Sequence, residues 1–279
     1  MRQNDAQDKI IGIVSYIDTV QIWFPRYLEN YEIDTIHSLC EGKSMTPCKI
    51  RMKYKRMWFC SLILQRPSAE VFDFLYGCFG DDLLINRVDV ALDLLTEILS
   101  DAEIVKNYIH YHQVHLWHGK QPMYQYINTT YSAPRNSRRN YVTYASRLSK
   151  VIRKHCCHLE LRFFAIDVVR NAGFPDILSL KDINYHEFWT KNLQLRELDL
   201  EKLGRQFTKR PYRKKPLIKY DRNGKPYNYL IRVSKQILRS CAHSEQGGTV
   251  QDVIDRFRGT RVNVSSCMIK VDTDPFLPQ

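Results

Sequence analysis

The sequence predicts an α+β fold built around a large antiparallel sheet. Three observations support this class: runs of β-branched and aromatic residues typical of strands, helical segments between them, and the order in which these elements follow one another. The first part of the chain has the order strand-helix-strand-strand-helix-strand, which is that of the split βαβ, or ferredoxin-like, unit. We therefore predict two βαββαβ-type halves that share a central antiparallel sheet, followed by a basic C-terminal extension of helices and loops. The predicted divisions are 1–84, 85–175 and 176–279.

The first βαββαβ-type unit contains six predicted elements, the last of which lies just past the predicted division at residue 84. Pro25 ends the opening strand, Gly42 and Gly80 end the two helices, and Ser68 can cap the second helix. In chain order, the elements are a strand at 10–24, a helix at 25–42, two hairpin strands at 49–56 and 57–65, a helix at 68–80 and a strand at 85–95.

After the strand at 85–95, the chain continues with a helix and then with strand-like runs. In chain order, these are a helix at 101–109, strands at 113–118, 123–132, 140–146 and 156–164, and a helix at 165–173. The segment from Lys202 to Lys225 then carries ten Lys or Arg residues and one Asp. This composition is compatible with a solvated basic linker or with a segment that contacts DNA. A short helix is expected around 249–257, and residues 272–279 are expected to fray.

Composition points to a polyanionic partner. The chain has 42 Lys and Arg against 30 Asp and Glu, a net charge of +12, which favours nucleic acid through phosphate neutralisation. No apolar run reaches the ~18 residues needed to cross a bilayer, and the first residues lack the apolar core of a secretory signal. We therefore expect a cytosolic protein with no membrane partner. The eight cysteines form no CxxC pair, so we interpret them as reduced core residues.

Three carboxylates are expected on one face of the sheet. Asp89 and Asp93 share a face of the strand at 85–95, and the opposite face is uniformly apolar and must be the core side. Glu160 alternates in the same way in the strand at 156–164. If the strands are neighbours, the three acids converge, and their oxygens suit Mg²⁺ or Mn²⁺. Alternation alone favours solvated carboxylates over a metal site.

If the strand of Tyr144 lies beside theirs, these carboxylates and Tyr144 could act together in one reaction. A tyrosine hydroxyl can attack a DNA phosphodiester, which exchanges one phosphate ester for another and frees a 3′-hydroxyl. Basic residues around it would hold the DNA backbone. The candidate DNA-binding residues are Arg135, Arg138, Arg139, Arg147 and Lys150.

The motifs RVDVALD (87–93), TTYSAPRNSRRNYVTYASRLSK (129–150) and CCHLELRFF (156–164), in this order, carry a family resemblance. Over roughly residues 85–170 the chain resembles the replication initiation factors of rolling-circle plasmids, of the Rep_trans type, and related relaxases of conjugative elements. The resemblance places Tyr144 on the nucleophile, with Asp93 and Glu160 as further catalytic residues. It places Asp89, Asp93 and Glu160 on the acidic, metal-associated positions.

This resemblance implies site-specific nicking at a replication origin of a plasmid, phage or mobile element. The reaction would pass through a 5′-phosphotyrosyl intermediate, with Mg²⁺ or Mn²⁺ as cofactor and single-stranded or cruciform origin DNA as partner. A bacterial cytoplasm, a host helicase and a homodimer are compatible with it. The chain departs from the family pattern at several positions: Ser146 replaces a lysine, His158 an arginine, Arg162 the second acid of the last strand, and Ala133 the glycine after the first tyrosine.

Several alternatives stay open. The missing lysine and second acid favour a non-catalytic DNA-binding regulator that retains the fold, and an RNA-binding protein is a weaker option. His110 and His112 fit a metal-binding pattern, although the end of a helix explains them as well. Asp18 is a candidate to join the site from the first strand, although a polar residue at a strand end is the favoured interpretation. Tyr131 and Tyr141 are secondary nucleophile candidates, for which packing or base stacking is the favoured role.

Overall fold

A computed structural model describes residues 3–40, 45–54, 56–114, 124–126, 129–132, 137–199, 202–203, 218–220, 226–228, 249–257 and 263–278. It has an α+β fold with a large antiparallel sheet, as predicted. The described helices are α1 (Gln3–Gln7), α2 (Asn30–Leu39), α3 (Ala69–Phe79), α4 (Leu99–His112), α5 (Ile166–Asn171), α6 (Tyr185–Asn192) and α7 (Val250–Phe257). The described strands are β1 (Gly12–Phe24), β2 (Met45–Tyr54), β3 (Met57–Gln65), β4 (Leu84–Thr96), β5 (Tyr124–Tyr126), β6 (Thr129–Tyr131), β7 (Arg139–Tyr144), β8 (His155–Phe164), β9 (Arg196–Leu198), β10 (Ile218–Tyr220), β11 (Pro226–Asn228) and β12 (Met268–Lys270).

Eight strands form one sheet in the order β2-β3-β1-β4-β8-β7-β6-β5, and neighbouring strands are antiparallel. The element order predicted for the first half, from β1 to β4, is present. The second half is different, because among the described residues α4 is followed by β5 to β8, and the run at 123–132 contains two short strands rather than one. Most of the strand predicted at 113–118 lies outside the described residues. The two ferredoxin-like halves are therefore not confirmed. The division at residue 84 stays a prediction, although β4 pairs with β1 on one side and β8 on the other.

The hydrophobic core lies on one face of this sheet. The apolar side chains that alternate along β4, from Val88 to Leu94, are fully buried there, which confirms the predicted core side. Helices cover this face because each presents large apolar residues to it, including Leu75 of α3, Tyr108 of α4 and Trp189 of α6. Ser68 precedes α3 as predicted, but its side chain accepts no hydrogen bond from the N–H groups of this helix, and its hydroxyl donates to the carbonyl of Leu39.

Strand β1 contains a bulge at Asp18. Ile17 pairs with Val90 and Thr19 with Asp89, so Asp18 is an extra residue between two successive pairs. A bulge of this kind reverses the alternation of side chains along a strand. As a result, Val20 still faces the core although the alternation before the bulge would turn it away.

The C-terminal region packs against the main core where it is described. β12 pairs with β9, and Phe276 stacks on Tyr108 of α4 with ring centroids 5.7 Å apart. Phe276 and Leu277 are fully buried, so the expectation of a frayed tail is wrong. The helix expected around 249–257 is α7, whereas most of the basic segment from Lys202 to Lys225 lies outside the described residues.

Two expectations from composition can be compared with the described part of the chain. The cysteines described there are free thiols, and most are buried. None of the helices found among the described residues is long and apolar enough to span a membrane.

Shortening a buried side chain of the central strand β4 tests the packing of the core. Leu92 is fully buried, so Leu92→Ala should lower the free energy of unfolding by about 2–5 kcal/mol, as lost burial and the remaining cavity both contribute. The same change at Leu148, which is 46% exposed, should cost less than about 1 kcal/mol. Urea denaturation measures both, and equal losses would contradict this packing.

Candidate functional site

Tyr144 and the three predicted carboxylates lie on the same face of three neighbouring strands. The face is opposite to the core face, since β4 and β8 alternate between acidic or basic and apolar residues. Across β7, β8 and β4, the rows of neighbouring residues on this face are Tyr144-His158-Asp93, Val142-Glu160-Ala91 and Asn140-Arg162-Asp89. The convergence expected from strand alternation is therefore found.

The carboxylates on this face are buried rather than solvated. Asp89 and Asp93 have no exposed surface, and Glu160 is 2% exposed. The expectation of solvated carboxylates is therefore wrong. The carboxylates are buried because β4 and β8 are central strands, and both faces of these strands are enclosed.

Each buried acid has a basic partner on its own or the neighbouring strand. Arg87 pairs with Asp89 through two hydrogen bonds, and Arg162 does the same with Glu160, at 2.7 and 3.0 Å. His158 Nδ1 lies 2.5 Å from Asp93 Oδ1.

These pairs also approach one another. His158 Nε2 is 3.6 Å from Glu160 Oε2, and Arg162 Nε is 3.8 Å from Asp89 Oδ2. Three acids and three bases thus form one continuous set of ion pairs, which we call the ion-pair network: Arg87, Asp89, Arg162, Glu160, His158 and Asp93.

The network fixes the charge of its central members. Burial lowers the pKa of His158, but the carboxylates of Asp93 and Glu160 more than offset this and raise it to about 9. Burial raises the pKa of Glu160, but the bonds from His158 and Arg162 hold it well below its usual range. Burial raises the pKa of Asp89, against the opposing effect of Arg87. His158 is therefore positively charged and Glu160 negatively charged near neutral pH.

Tyr144 lies beside this network. Its ring stacks on His158, with centroids 4.4 Å apart and planes inclined by 26°, and the guanidinium of Arg147 lies 5.7 Å from its centroid. Burial and the negative charges of Glu160, Asp18 and Asp93 raise the pKa of Tyr144, while Arg147 lowers it. The phenol is therefore protonated near neutral pH.

Tyr16 also belongs to the site and was not singled out from the sequence. Its hydroxyl donates to Asp93 Oδ2 over 3.3 Å, and burial together with the charge of Asp93 raises its pKa. Strand alternation in β1 could have placed Tyr16 on the face of the acids, but only if the pairing of β1 with β4 had been known.

Asp18 lies in the middle of β1, so its expected place at a strand end is wrong. Lys150 Nζ is 2.6 Å from each of its carboxylate oxygens. Arg66 completes a closed set of contacts, because its backbone N–H donates to Asp18 O at 2.9 Å and its guanidinium to Lys150 O at 2.8 Å. We call this set the Asp18–Arg66–Lys150 triangle. It ties the loop after β7 to β1, which lies beyond β8 and β4 in the sheet.

The structure does not bring all of the predicted basic residues to Tyr144. Arg147 and Lys150 lie in the loop that comes after it, whereas Arg138 and Arg139 lie at the other end of β7, about 17 Å away along the strand. Arg138 is exposed and pairs with Asp167. Arg135 lies outside the described residues.

The remaining candidates are also placed. Tyr141 is buried on the core face, which agrees with a packing role. Tyr131 neighbours Val142 in the sheet and is half-buried. His110 and His112 lie in the last turn of α4, and His112 Nδ1 is 3.1 Å from Arg196 O.

A divalent metal does not fit the acids as they are arranged here. No group of three or more His, Cys, Asp or Glu side chains within the described ranges is placed to hold a metal ion. Asp89, Asp93 and Glu160 each already have a basic partner, so a bound Mg²⁺ or Mn²⁺ would have to displace those partners. The metal implied by the sequence resemblance stays a prediction, and the reaction proposed for this site uses the side chains of the protein alone.

Comparisons with known proteins give a structural likeness but no family. No protein-family model matches the chain, and no curated protein matches its sequence. The chain is similar to the solved structure of a rolling circle replication initiator protein from Geobacillus stearothermophilus, at 12% identity. That alignment covers 82% of this chain and 97% of the other, with a TM-score of 0.40. A likeness at this level assigns no family, so the function has to be inferred from the residues of the site.

The charge of His158 makes stability depend on pH. Its folded pKa of about 9 lies above the ordinary 6.5, so the stabilisation is fully present below pH 6.5 and is lost as the pH rises through 9. The loss should be on the order of 3 kcal/mol. Urea denaturation across this pH range measures it in the wild type.

Two variants isolate this effect. His158→Gln should remove this part of the pH dependence, and His37→Gln, an exposed position on α2, should keep it. A wild-type free energy of unfolding with no decline between pH 6.5 and 9 would contradict a charged His158.

Proposed function

We propose that this protein is a DNA-nicking initiator of rolling-circle replication in which Tyr144 is the nucleophile. The observation that carries the proposal is the position of Tyr144. Its ring stacks on a charged histidine, lies near the guanidinium of Arg147, and shares a sheet face with three buried acids. The net charge of +12 and the basic loop after β7 supply attraction for a DNA backbone.

The proposed reaction is a transesterification. The Tyr144 oxygen forms a bond to phosphorus, and the bond from phosphorus to the 3′-oxygen of the preceding nucleotide breaks. The phenol proton passes to a neighbouring carboxylate; those whose charges raise the pKa of Tyr144 are Glu160, Asp18 and Asp93. The departing 3′-oxygen takes a proton from solvent and becomes a primer end.

The positive groups of the site have separate roles in this proposal. Arg147, beside the Tyr144 ring, neutralises the phosphate under attack. His158 is held by Asp93 and keeps the phenol ring in place by stacking. Single-stranded or cruciform origin DNA is the proposed substrate, and a plasmid, phage or other mobile element the proposed replicon.

Covalent capture tests the nucleophile. Wild-type protein incubated with single-stranded origin DNA, in Mn²⁺ or in EDTA, should give an adduct that migrates more slowly in a denaturing gel. Tyr144→Phe should give none, because it lacks the oxygen that bonds to phosphorus.

Tyr131→Phe is the matched control, since it removes a hydroxyl from the neighbouring strand β6. It should still form the adduct. An equal amount of adduct with wild type and Tyr144→Phe would exclude Tyr144 as the nucleophile.

The ion-pair network favours a second candidate function, a DNA-binding regulator without nicking activity. Its acids are neutralised by protein bases, and the raised pKa of Tyr144 opposes formation of the phenolate. This candidate predicts salt-sensitive DNA binding by the wild type and no adduct under any condition.

Both candidates require Arg147 to contact a phosphate. Arg147→Ala should therefore reduce the slope of log K against log salt concentration for single-stranded DNA by about 0.7. Lys191→Ala removes the same charge at an exposed pair with Glu187 on α6 and should leave the slope unchanged. Fluorescence anisotropy at several salt concentrations measures this, and equal slopes for wild type and Arg147→Ala would contradict a phosphate contact.

A further inference from the structure

A cavity of about 470 Å³ lies beside the candidate site and has no role in the proposed transesterification. Its wall includes Tyr16, Tyr185 and Val151. Three basic side chains, Arg66, Lys150 and Lys181, also line it, and aliphatic and aromatic residues supply the rest of its surface.

Tyr16 connects the cavity to Tyr144. It lines the cavity, while its hydroxyl donates to Asp93, whose other oxygen contacts His158 under the Tyr144 ring. Lys150 provides a second connection, because it lines the cavity from the loop that begins directly after Tyr144. The cavity therefore lies next to the position that a DNA strand bound at Tyr144 would occupy.

The charge of this compartment is positive. Lys150 and Lys181 have carboxylate partners, Asp18 and Asp73. Arg66 pairs with no acid in the part of the chain that the structure describes, and its guanidinium donates there to the carbonyl of Lys150. The guanidinium is therefore held in place and keeps donors for an anion.

The backbone at Arg66 supports a functional role. Its φ of 49° lies in the left-handed region, which a non-glycine residue adopts at a cost. The Asp18–Arg66–Lys150 triangle holds this conformation through the backbone and side-chain bonds of Arg66. The result is a fixed guanidinium at the wall of a cavity that is otherwise largely apolar and aromatic.

We propose that this cavity binds one nucleotide of single-stranded DNA next to the phosphate presented to Tyr144. The phosphate of this nucleotide contacts Arg66 and Lys181, and its base packs against the apolar wall that includes Tyr185 and Val151. This inference rests on the proposed function, because it takes DNA as the substrate, and it adds residues that hold the strand.

The mixed wall favours a nucleotide over other ligands of similar size. A cavity of this volume is in the range of small-molecule sites, in which apolar walls bury most of the ligand and a few polar groups orient it. An aromatic and aliphatic wall suits the face of any base, and guanidinium and ammonium groups suit the phosphate attached to it.

Filling the cavity without changing charge tests the proposal. Val151 and Ile152 are neighbours in the same loop and are 45% and 44% exposed, but of the two, Val151 lines the cavity. Val151→Trp should weaken binding of a fluorescein-labelled single-stranded oligonucleotide about ten-fold, and Ile152→Trp less than about two-fold. Anisotropy in EDTA with both changes placed in Tyr144→Phe protein measures binding without covalent chemistry.

A second pair of variants tests the phosphate contact. Lys181→Gln should weaken binding more than Lys191→Gln, which removes the same charge outside the cavity. An unlabelled deoxynucleoside monophosphate should compete only weakly, because it lacks the rest of the strand.

The outcomes separate this inference from the proposed function. If Val151→Trp weakens oligonucleotide binding and Ile152→Trp does not, the cavity site is supported. This holds even if no adduct ever forms, in which case only the nicking proposal fails. Equal binding by the two tryptophan variants overturns the cavity site, whatever the adduct assay gives. A monophosphate that binds more tightly than the oligonucleotide also overturns it, because the cavity would then hold a free nucleotide.

Discussion

The structure depends on the pairing of three buried acids with three bases across β4 and β8. Unpaired, carboxylates enclosed on the central strands would carry a desolvation cost of several kcal/mol each. Arg87, His158 and Arg162 offset that cost from the same two strands, within hydrogen-bond distance of their partners. Because the pairing is internal to the sheet, both faces of the central strands can be buried.

The site is organised by this pairing. His158 is charged because two acids flank it, and its fixed ring gives Tyr144 a surface to stack on. Burial and the same acids raise the pKa of the Tyr144 phenol, so the phenol is protonated near neutral pH. The loop after β7 then encloses this end of the face, because Lys150 reaches Asp18 on β1.

Alternation along β4 and β8 predicted which face carries the acids, since regular strands have a period of two, but their meeting with Tyr144 also required the strands to be neighbours. Tyr16 was missed because its place beside Asp93 follows from the pairing of β1 with β4, and the bulge at Asp18 then reverses the alternation in the rest of β1. Contacts between residues far apart in sequence, such as Lys150 with Asp18 or Phe276 with Tyr108, leave no local pattern. Burial of the acids was missed because it depends on which strands are central in the sheet.

The bulge in β1 also limits the kinds of change that evolution can make in this protein. Replacing Asp18 alters one charge, but deleting a residue there would turn the rest of the strand over, so that Val20 and Ile22 would face the acids instead of the core. Side-chain identity along β1 is therefore freer to drift than its length. Among distant relatives, the number of residues between Tyr16 and Val20 should record common descent longer than the residues themselves.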